Sequence, residues 1–129
     1  MSQQDIELSF IKSFRTYISY DWLEYISDST HQPIEVIVKY LEFYLNHPIT
    51  VDIPYCVIDK YHSPYNINCL IEKFLDQYVR CKKCYYSISE LRVVDNKVVT
   101  LCTLCCHKRY HDDDEFTEFY KQYWNTGSK

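Results

Sequence analysis

The sequence predicts an α+β fold: a small helix-hairpin-helix subdomain followed by a four-cysteine ribbon, with flanking N- and C-terminal helices. Three observations carry this expectation. Two Cys-x-x-Cys pairs, Cys81/Cys84 and Cys102/Cys105, stand seventeen residues apart. Apolar residues recur at helical spacing in stretches on both sides of those pairs, and switch to short strand-like runs between them. The chain of 129 residues is 47% hydrophobic and 17% aromatic, with fourteen tyrosines, a composition that builds a core rather than a disordered chain.

The elements follow in order. In "DIELSFIKSFRTYISY", Ile6, Phe10, Phe14, Tyr17 and Ile18 recur at helical spacing, so residues 1–20 are expected to form an amphipathic helix. Residues 21–78 form the helix-hairpin-helix unit. A short segment, "DWLEYIS", leads to a helix that Pro33 opens and that carries Ile34, Ile37, Val38, Leu41 and Leu45 on one stripe. "ITVD" and "YCVID" flank Ile53-Pro54 as a small hairpin, and Ser63 and Pro64 then cap and open a helix with Ile67, Leu70, Ile71, Phe74, Leu75 and Tyr78 on its apolar face. Residues 79–111 are the ribbon, where "ELRVV" and "KVVTL" flank Asp95-Asn96, residue types that tolerate the left-handed backbone of a two-residue hairpin turn. Residues 112–129 form an acidic C-terminal helix. "HDDDE" supplies the negative charge favoured at a helix start, and Phe116, Phe119, Tyr120 and Tyr123 follow at helical spacing.

A two-residue gap lets one tight knuckle aim both of its sulfurs at one ion, and two knuckles joined by a hairpin complete a closed tetrahedral site. Cys81, Cys84, Cys102 and Cys105 are therefore the expected ligands of one structural zinc ion. Four protein ligands leave no position for a reactive water, so no hydrolytic zinc enzyme and no catalytic residue is expected. Cys106 adjoins Cys105 and either could ligate, with His107 a weaker candidate; otherwise Cys106 fills small apolar space beside the knuckle. Cys56 and Cys69 read as small buried hydrophobes.

Charge is segmented. Residues 1–78 carry five Lys/Arg against eleven Asp/Glu, and residues 112–129 two against five, whereas residues 79–111 carry seven against two. A basic module in an acidic chain points to a polyanionic partner for that module. Arg80, Lys82, Lys83, Arg92, Lys97, Lys108 and Arg109 offer phosphate contacts, and Tyr85 and Tyr86 offer stacking faces, a pairing suited to RNA. Alternatively, both tyrosines cover the ribbon's small core.

The run "CVIDKYHSPYNINCLIEKFLDQYVRCKKC" followed by "ISEL" and "VTLCTLC" resembles the domain shared by the beta subunit of eukaryotic and archaeal translation initiation factor two and by initiation factor five. The likeness covers roughly Glu24 to Cys106. Ser87-Ile88-Ser89 stands where the family has Pro-Glu/Asp-Thr, Lys60 replaces a glycine, and the acidic tail is foreign to the pattern. The resemblance implies a non-enzymatic adaptor with zinc, working with a GTP-binding gamma-type subunit, initiator tRNA and small-subunit ribosomal RNA. The opening helix sits where the family docks on that GTPase. Ile6, Phe10, Phe14 and Tyr17 are then its anchors, unless the helix packs on its own domain.

Two further readings remain open: a transcription-type zinc ribbon that binds a polymerase or promoter complex, and a GTPase-activating factor resembling initiation factor five. The latter needs an arginine finger, for which Arg15 is the N-terminal candidate. His31, His47 and His62 look isolated. No apolar run approaches the roughly 20 residues that span a bilayer, and the start lacks a basic-then-apolar leader. The expected compartment is the cytoplasm, a host's if the chain is viral, with no membrane partner.

Overall fold

The computed structural model describes residues 14–85 and 89–126. The first element is a strand, β1 (Thr16–Ser19), and not the end of a helix. Phe14, Tyr17 and Ile18 fit a helical stripe, but Thr16 and Ile18 are buried while Tyr17 and Ser19 are exposed, and this alternation of β-branched and aromatic residues suits a pleated edge. The remainder of the expected opening helix, including Ile6 and Phe10, lies outside the described residues. Helix α1 (Tyr20–Thr30) replaces the expected short segment. Ser19 caps it by accepting the Trp22 N–H at 3.2 Å, and Leu23 and Ile26 face the core.

Helix α2 (Ile34–Leu45) begins after Pro33, which is its N-cap residue rather than its first helical one. Its buried face is Val36, Ile37, Tyr40, Leu41 and Leu45, so the stripe is rotated from the expected one and leaves Ile34 and Val38 half-buried. Strands β2 (Thr50–Asp52) and β3 (Tyr55–Ile58) form the expected hairpin around the cis Ile53-Pro54 peptide. Addition of β1 makes an antiparallel sheet of order β1-β3-β2, with Ile18 opposite Cys56 on the core face and Tyr17 opposite Val57 on the outer one.

Helix α3 (Pro64–Phe74) is capped by Ser63, whose hydroxyl accepts the Asn66 N–H at 3.0 Å. It runs on into a π-helical turn, Leu75–Val79, closed by the Arg80 N–H on the Leu75 carbonyl at 2.7 Å. Two consecutive residues of the turn, Tyr78 and Val79, are buried. The ribbon follows as β4 (Ser89–Val94), β5 (Lys97–Cys102) and a third strand, β6 (Lys108–Tyr110), in the order β4-β5-β6. Asp95 and Asn96 take φ of 52° and 62°, as the two-residue turn between β4 and β5 requires. Helix α4 (Glu115–Asn125) starts in a capping box: the Asp114 carboxylate accepts the Thr117 N–H at 2.8 Å, and the Thr117 hydroxyl accepts the Asp114 N–H at 2.7 Å.

One core joins these parts. Tyr40 of α2, Phe74 of α3, Tyr78 of the π-turn and Phe116 of α4 meet edge-on and tilted, with ring centroids 5.0 Å apart for Tyr40/Phe74, 5.3 Å for Tyr40/Phe116 and 5.0 Å for Tyr78/Phe116. Leu91 and Val98 of the ribbon belong to the same buried cluster. The wide turn leaves the carbonyls of Asp76, Gln77 and Tyr78 facing the ribbon. The Arg109 guanidinium donates to those of Asp76 (3.2 Å) and Gln77, and the Thr100 hydroxyl donates to that of Tyr78 at 3.3 Å. Helix α4 closes the other side, where the Tyr120 hydroxyl donates to the Leu91 carbonyl at 2.8 Å.

His111 sits inside this joint. Its ring lies 4.5 Å from that of Tyr78, and Nε2 is 2.6 Å from Thr100 Oγ1. Because the Thr100 proton is used on Tyr78, the consistent assignment is a neutral imidazole that donates from Nε2. Burial, aided by the Arg109 charge, pushes His111 down to about 4 against the opposing pull of Asp114 and Asp112. The fold therefore accepts only the neutral ring. Its contribution is complete above the unfolded value of about 6.5 and falls as pH drops from there to about 4, by roughly 3 kcal/mol. Denaturation of wild type and His111→Gln should show the wild-type advantage at pH 7 shrinking steadily toward pH 4. A pH-independent gap between the two would contradict the assignment.

Candidate metal centre and ribbon surface

The two Cys-x-x-Cys segments form matching knuckles. In the first, the N–H groups of Lys83 and Cys84 point at Cys81 Sγ at 3.3 and 3.5 Å, and the Tyr85 N–H closes the turn on the Cys81 carbonyl at 3.0 Å. In the second, the Cys105 N–H points at Cys102 Sγ at 3.5 Å, and the Cys106 N–H closes on the Cys102 carbonyl at 3.0 Å. The residue that follows each pair turns left-handed, Tyr85 at φ 63° and Cys106 at φ 62°. Strand β5 delivers Cys102, and α3 with its π-turn delivers Cys81, so the two halves of the site rest on different parts of the core.

The four sulfurs converge. Cys81 and Cys105 are 3.5 Å apart, as are Cys84 and Cys102, and all four lie within 4.8 Å of one another. A tetrahedron with metal–sulfur bonds of about 2.3 Å has edges of roughly 3.8 Å, within the range these sulfurs span. The group could therefore hold a metal ion, and its all-sulfur donor set suits a soft or borderline one. Electrostatics points the same way. The N–H of Cys84, with that of Lys83, outweighs burial and holds Cys81 down to about 6, and the Cys105 N–H likewise lowers Cys102. Cys105 is pushed up to about 12: the His107 N–H favours its thiolate, but burial and the three neighbouring sulfurs prevail. Four thiolates cannot share this space unless a cation offsets their charge.

The other cysteines depart from expectation in part. Cys56 is buried as read. Cys106 is exposed and outside the sulfur group; its position is set by the left-handed turn, which swings its side chain away from the knuckle. Cys69 is exposed too, on the face of α3 opposite Ile67, Ile71 and Phe74.

The seven ribbon cations divide into two groups. Arg80 pairs with Glu72 at 3.0 Å and Asp76 at 2.8 Å, Arg92 with Glu90, and Lys97 with Asp113 at 3.2 Å, while Arg109 is spent on the π-turn carbonyls. Lys82, Lys83 and Lys108 are exposed, with no ion pair among the described residues. They flank the knuckles, together with Tyr85, which is 83% exposed and does not cover the ribbon core. Tyr86 lies outside the described residues. Sequence reading missed Tyr110, exposed beside Lys108 on the alternate positions of β6; a three-residue strand gives too short an alternation to detect.

Of the docking candidates, Phe14 rests against Tyr61 at 4.4 Å between ring centroids, and Tyr17, on the outer face of the sheet, lies 5.6 Å from Tyr55. Arg15 forms an exposed ion pair with Asp59 at 3.0 Å. His31 ends α1 in a left-handed cap, but His47 and His62 are not isolated: their rings are 5.6 Å apart, and burial, followed by His47 and Lys60, lowers His62. "HDDDE" acts as the start of α4, with Asp114 as cap and Asp113 bridging Lys97 and Lys121. No helix among the described residues is long and apolar enough to cross a membrane.

The model of a family described as a domain found in initiation factor two-B and initiation factor five matches residues 7–108, which include both knuckles and exclude α4. No curated protein matches the chain. Cys105→Ser should abolish metal retention, read by elemental analysis of the purified protein. Cys106→Gly should retain the ion and gain up to about 1 kcal/mol, because glycine meets φ 62° without steric cost.

Proposed function

The chain belongs to the family of the domain found in initiation factor two-B and initiation factor five, and we propose that it is an adaptor in translation initiation resembling the beta subunit of initiation factor two. The match across residues 7–108 supports a role in translation initiation in general; the finer reading is supported by the seventeen-residue gap between the Cys pairs, which suits the beta subunit. In this reading the chain performs no chemistry. It links a GTP-binding gamma-type subunit and its initiator tRNA to the small ribosomal subunit, in the cytoplasm.

Zinc is the ion we assign to the sulfur group. It accepts four thiolates in a tetrahedron without redox chemistry, and with all positions filled by protein it supplies folding energy rather than a reactive water. Each knuckle is then fixed from its metal side. Lys82 and Lys83 on one knuckle, and Lys108 just after the other, form the phosphate-binding set, with Tyr85 and Tyr110 as faces for unpaired bases. The paired cations Arg80, Arg92, Lys97 and Arg109 contribute field and structure rather than contacts. Arg15, tied to Asp59 beside the first sheet, supports an adaptor better than a GTPase-activating factor.

Docking on the GTPase is assigned to the segment that leads into β1, with Phe14 at its junction. Removal of residues 1–13 keeps β1 and Ile18 in the core. It should leave zinc content and the thermal midpoint within experimental error while abolishing pull-down of the gamma-type subunit. A collapse of the midpoint would place that segment in the fold instead.

RNA binding has its own signature. Each phosphate contact to a single strand contributes about 0.7 to the log–log salt dependence. Replacing Lys82, Lys83 and Lys108 together with Ala should therefore lower the slope for single-stranded RNA by about 2. Co-sedimentation with small ribosomal subunits should weaken in parallel, and Arg92→Ala should leave the slope unchanged. An unaltered slope in the triple variant would move the RNA contact off the ribbon.

A further inference from the structure

Ser89 opens β4 directly opposite Cys102 in the ribbon register. It is 2% exposed, and its Oγ, fully shielded from solvent, meets no hydrogen-bond partner among the described residues. A buried hydroxyl left unpaired is costly, and a native chain normally satisfies it. Ser89 also lines a small cavity together with Cys81, Cys102, Thr100, His107 and the basic side chains around them. The cavity holds about 10 Å³, close to the space of a single water, and every residue that borders it carries a polar or ionisable side chain. Larger ligands are excluded by volume.

Thr100 is already committed to the Tyr78 carbonyl and His111. Ser89 therefore brings the free hydroxyl to the cavity, next to two of the four metal-binding sulfurs. A closed site of four thiolates and one divalent ion carries a net charge of about −2, and donors to the sulfurs spread that charge and hold the ligands in place. A water that accepts from the Ser89 O–H and donates to two sulfurs makes three hydrogen bonds, the usual number for a buried water.

We propose that Ser89 is a positioning residue of the metal centre: through one water held in this cavity, its hydroxyl supports hydrogen bonds to the thiolates of Cys81 and Cys102. The inference rests on the metal reading above. It extends the site beyond its ligands to a residue that neither the knuckle spacing nor the sulfur geometry identifies.

The test uses the full chain loaded with Co²⁺ or Zn²⁺. Ser89→Ala should release the ion to a chromophoric chelator about tenfold faster than wild type. Its sulfur-to-cobalt charge-transfer band should move to lower energy, since thiolates without hydrogen bonds give up electrons more readily. Ser89→Thr and Ser89→Val share a shape and differ in the hydroxyl, so the Thr variant should keep slow release and the Val variant should not. Equal release and an unmoved band in Ser89→Ala, or equal behaviour of the Thr and Val variants, would overturn the proposal while leaving the metal site intact. Failure of the wild-type chain to take up either ion would overturn both.

Discussion

The end of α3 sets the terms for the whole molecule. A helix that finishes in a π-turn leaves consecutive carbonyls without partners along the chain, and here those of Asp76, Gln77 and Tyr78 face the ribbon, the first still exposed and the last buried. Arg109 and Thr100 supply the missing donors from the ribbon. Those donors are in place only when β5 and β6 are formed, and the strands are anchored by Cys102 and the knuckle that follows it. The sulfur group is thereby connected to the aromatic core through hydrogen bonds to the backbone as well as through the apolar contacts of Leu91 and Val98. The same π-turn carries Tyr78 into the core and Cys81 to the sulfur group, so one local widening of a helix serves both.

The electrostatic design is narrower than composition implies. A count of seven cations against two acids suggests a uniformly basic module, yet carboxylates or backbone carbonyls engage four of the seven. Asp113 is the clearest case. It holds Lys97 of the ribbon and Lys121 of α4 together and is itself pulled below the ordinary carboxylate range by those two lysines, Lys121 first. What remains available for a polyanion is a short row of lysines and exposed tyrosines beside the knuckles. Such a surface follows a flexible single strand more readily than it grips a wide groove.

Much of this is legible in the sequence, for identifiable reasons. Knuckle spacing, the Asp95-Asn96 turn, the Ser63-Pro64 helix start and the acidic opening of α4 are local signals, each fixed by the chemistry of a few adjacent residues. The β1 segment reads as helix because Phe14, Tyr17 and Ile18 satisfy a period of 3.6 as well as Thr16 and Ile18 satisfy a period of 2; pairing with β3, a tertiary fact, decides between them. Strand β6 is too short to show a period. The π-turn leaves no mark in the apolar pattern, which reads as a continuous helix from Ile67 to Tyr78. Residue type alone suggests burial for Cys69 and Cys106, whereas helix phase and a left-handed turn set their exposure. The pairing of His47 with His62, and the enclosure of Ser89, depend on segments far apart in sequence.

Helix α4 lies beyond the boundary at which the family likeness ends, yet Phe116 and Tyr120 complete the core. That separates the unit of ancestry from the unit of folding. During synthesis the helices, the sheet and both knuckles emerge first, with the aromatic face of Tyr40, Phe74 and Tyr78 still uncovered. It becomes sheltered only when α4 has left the exit tunnel. Until then the nascent chain is an open shell that offers a ready surface to chaperones or to wrong partners, and its native state is reached as a late closing step.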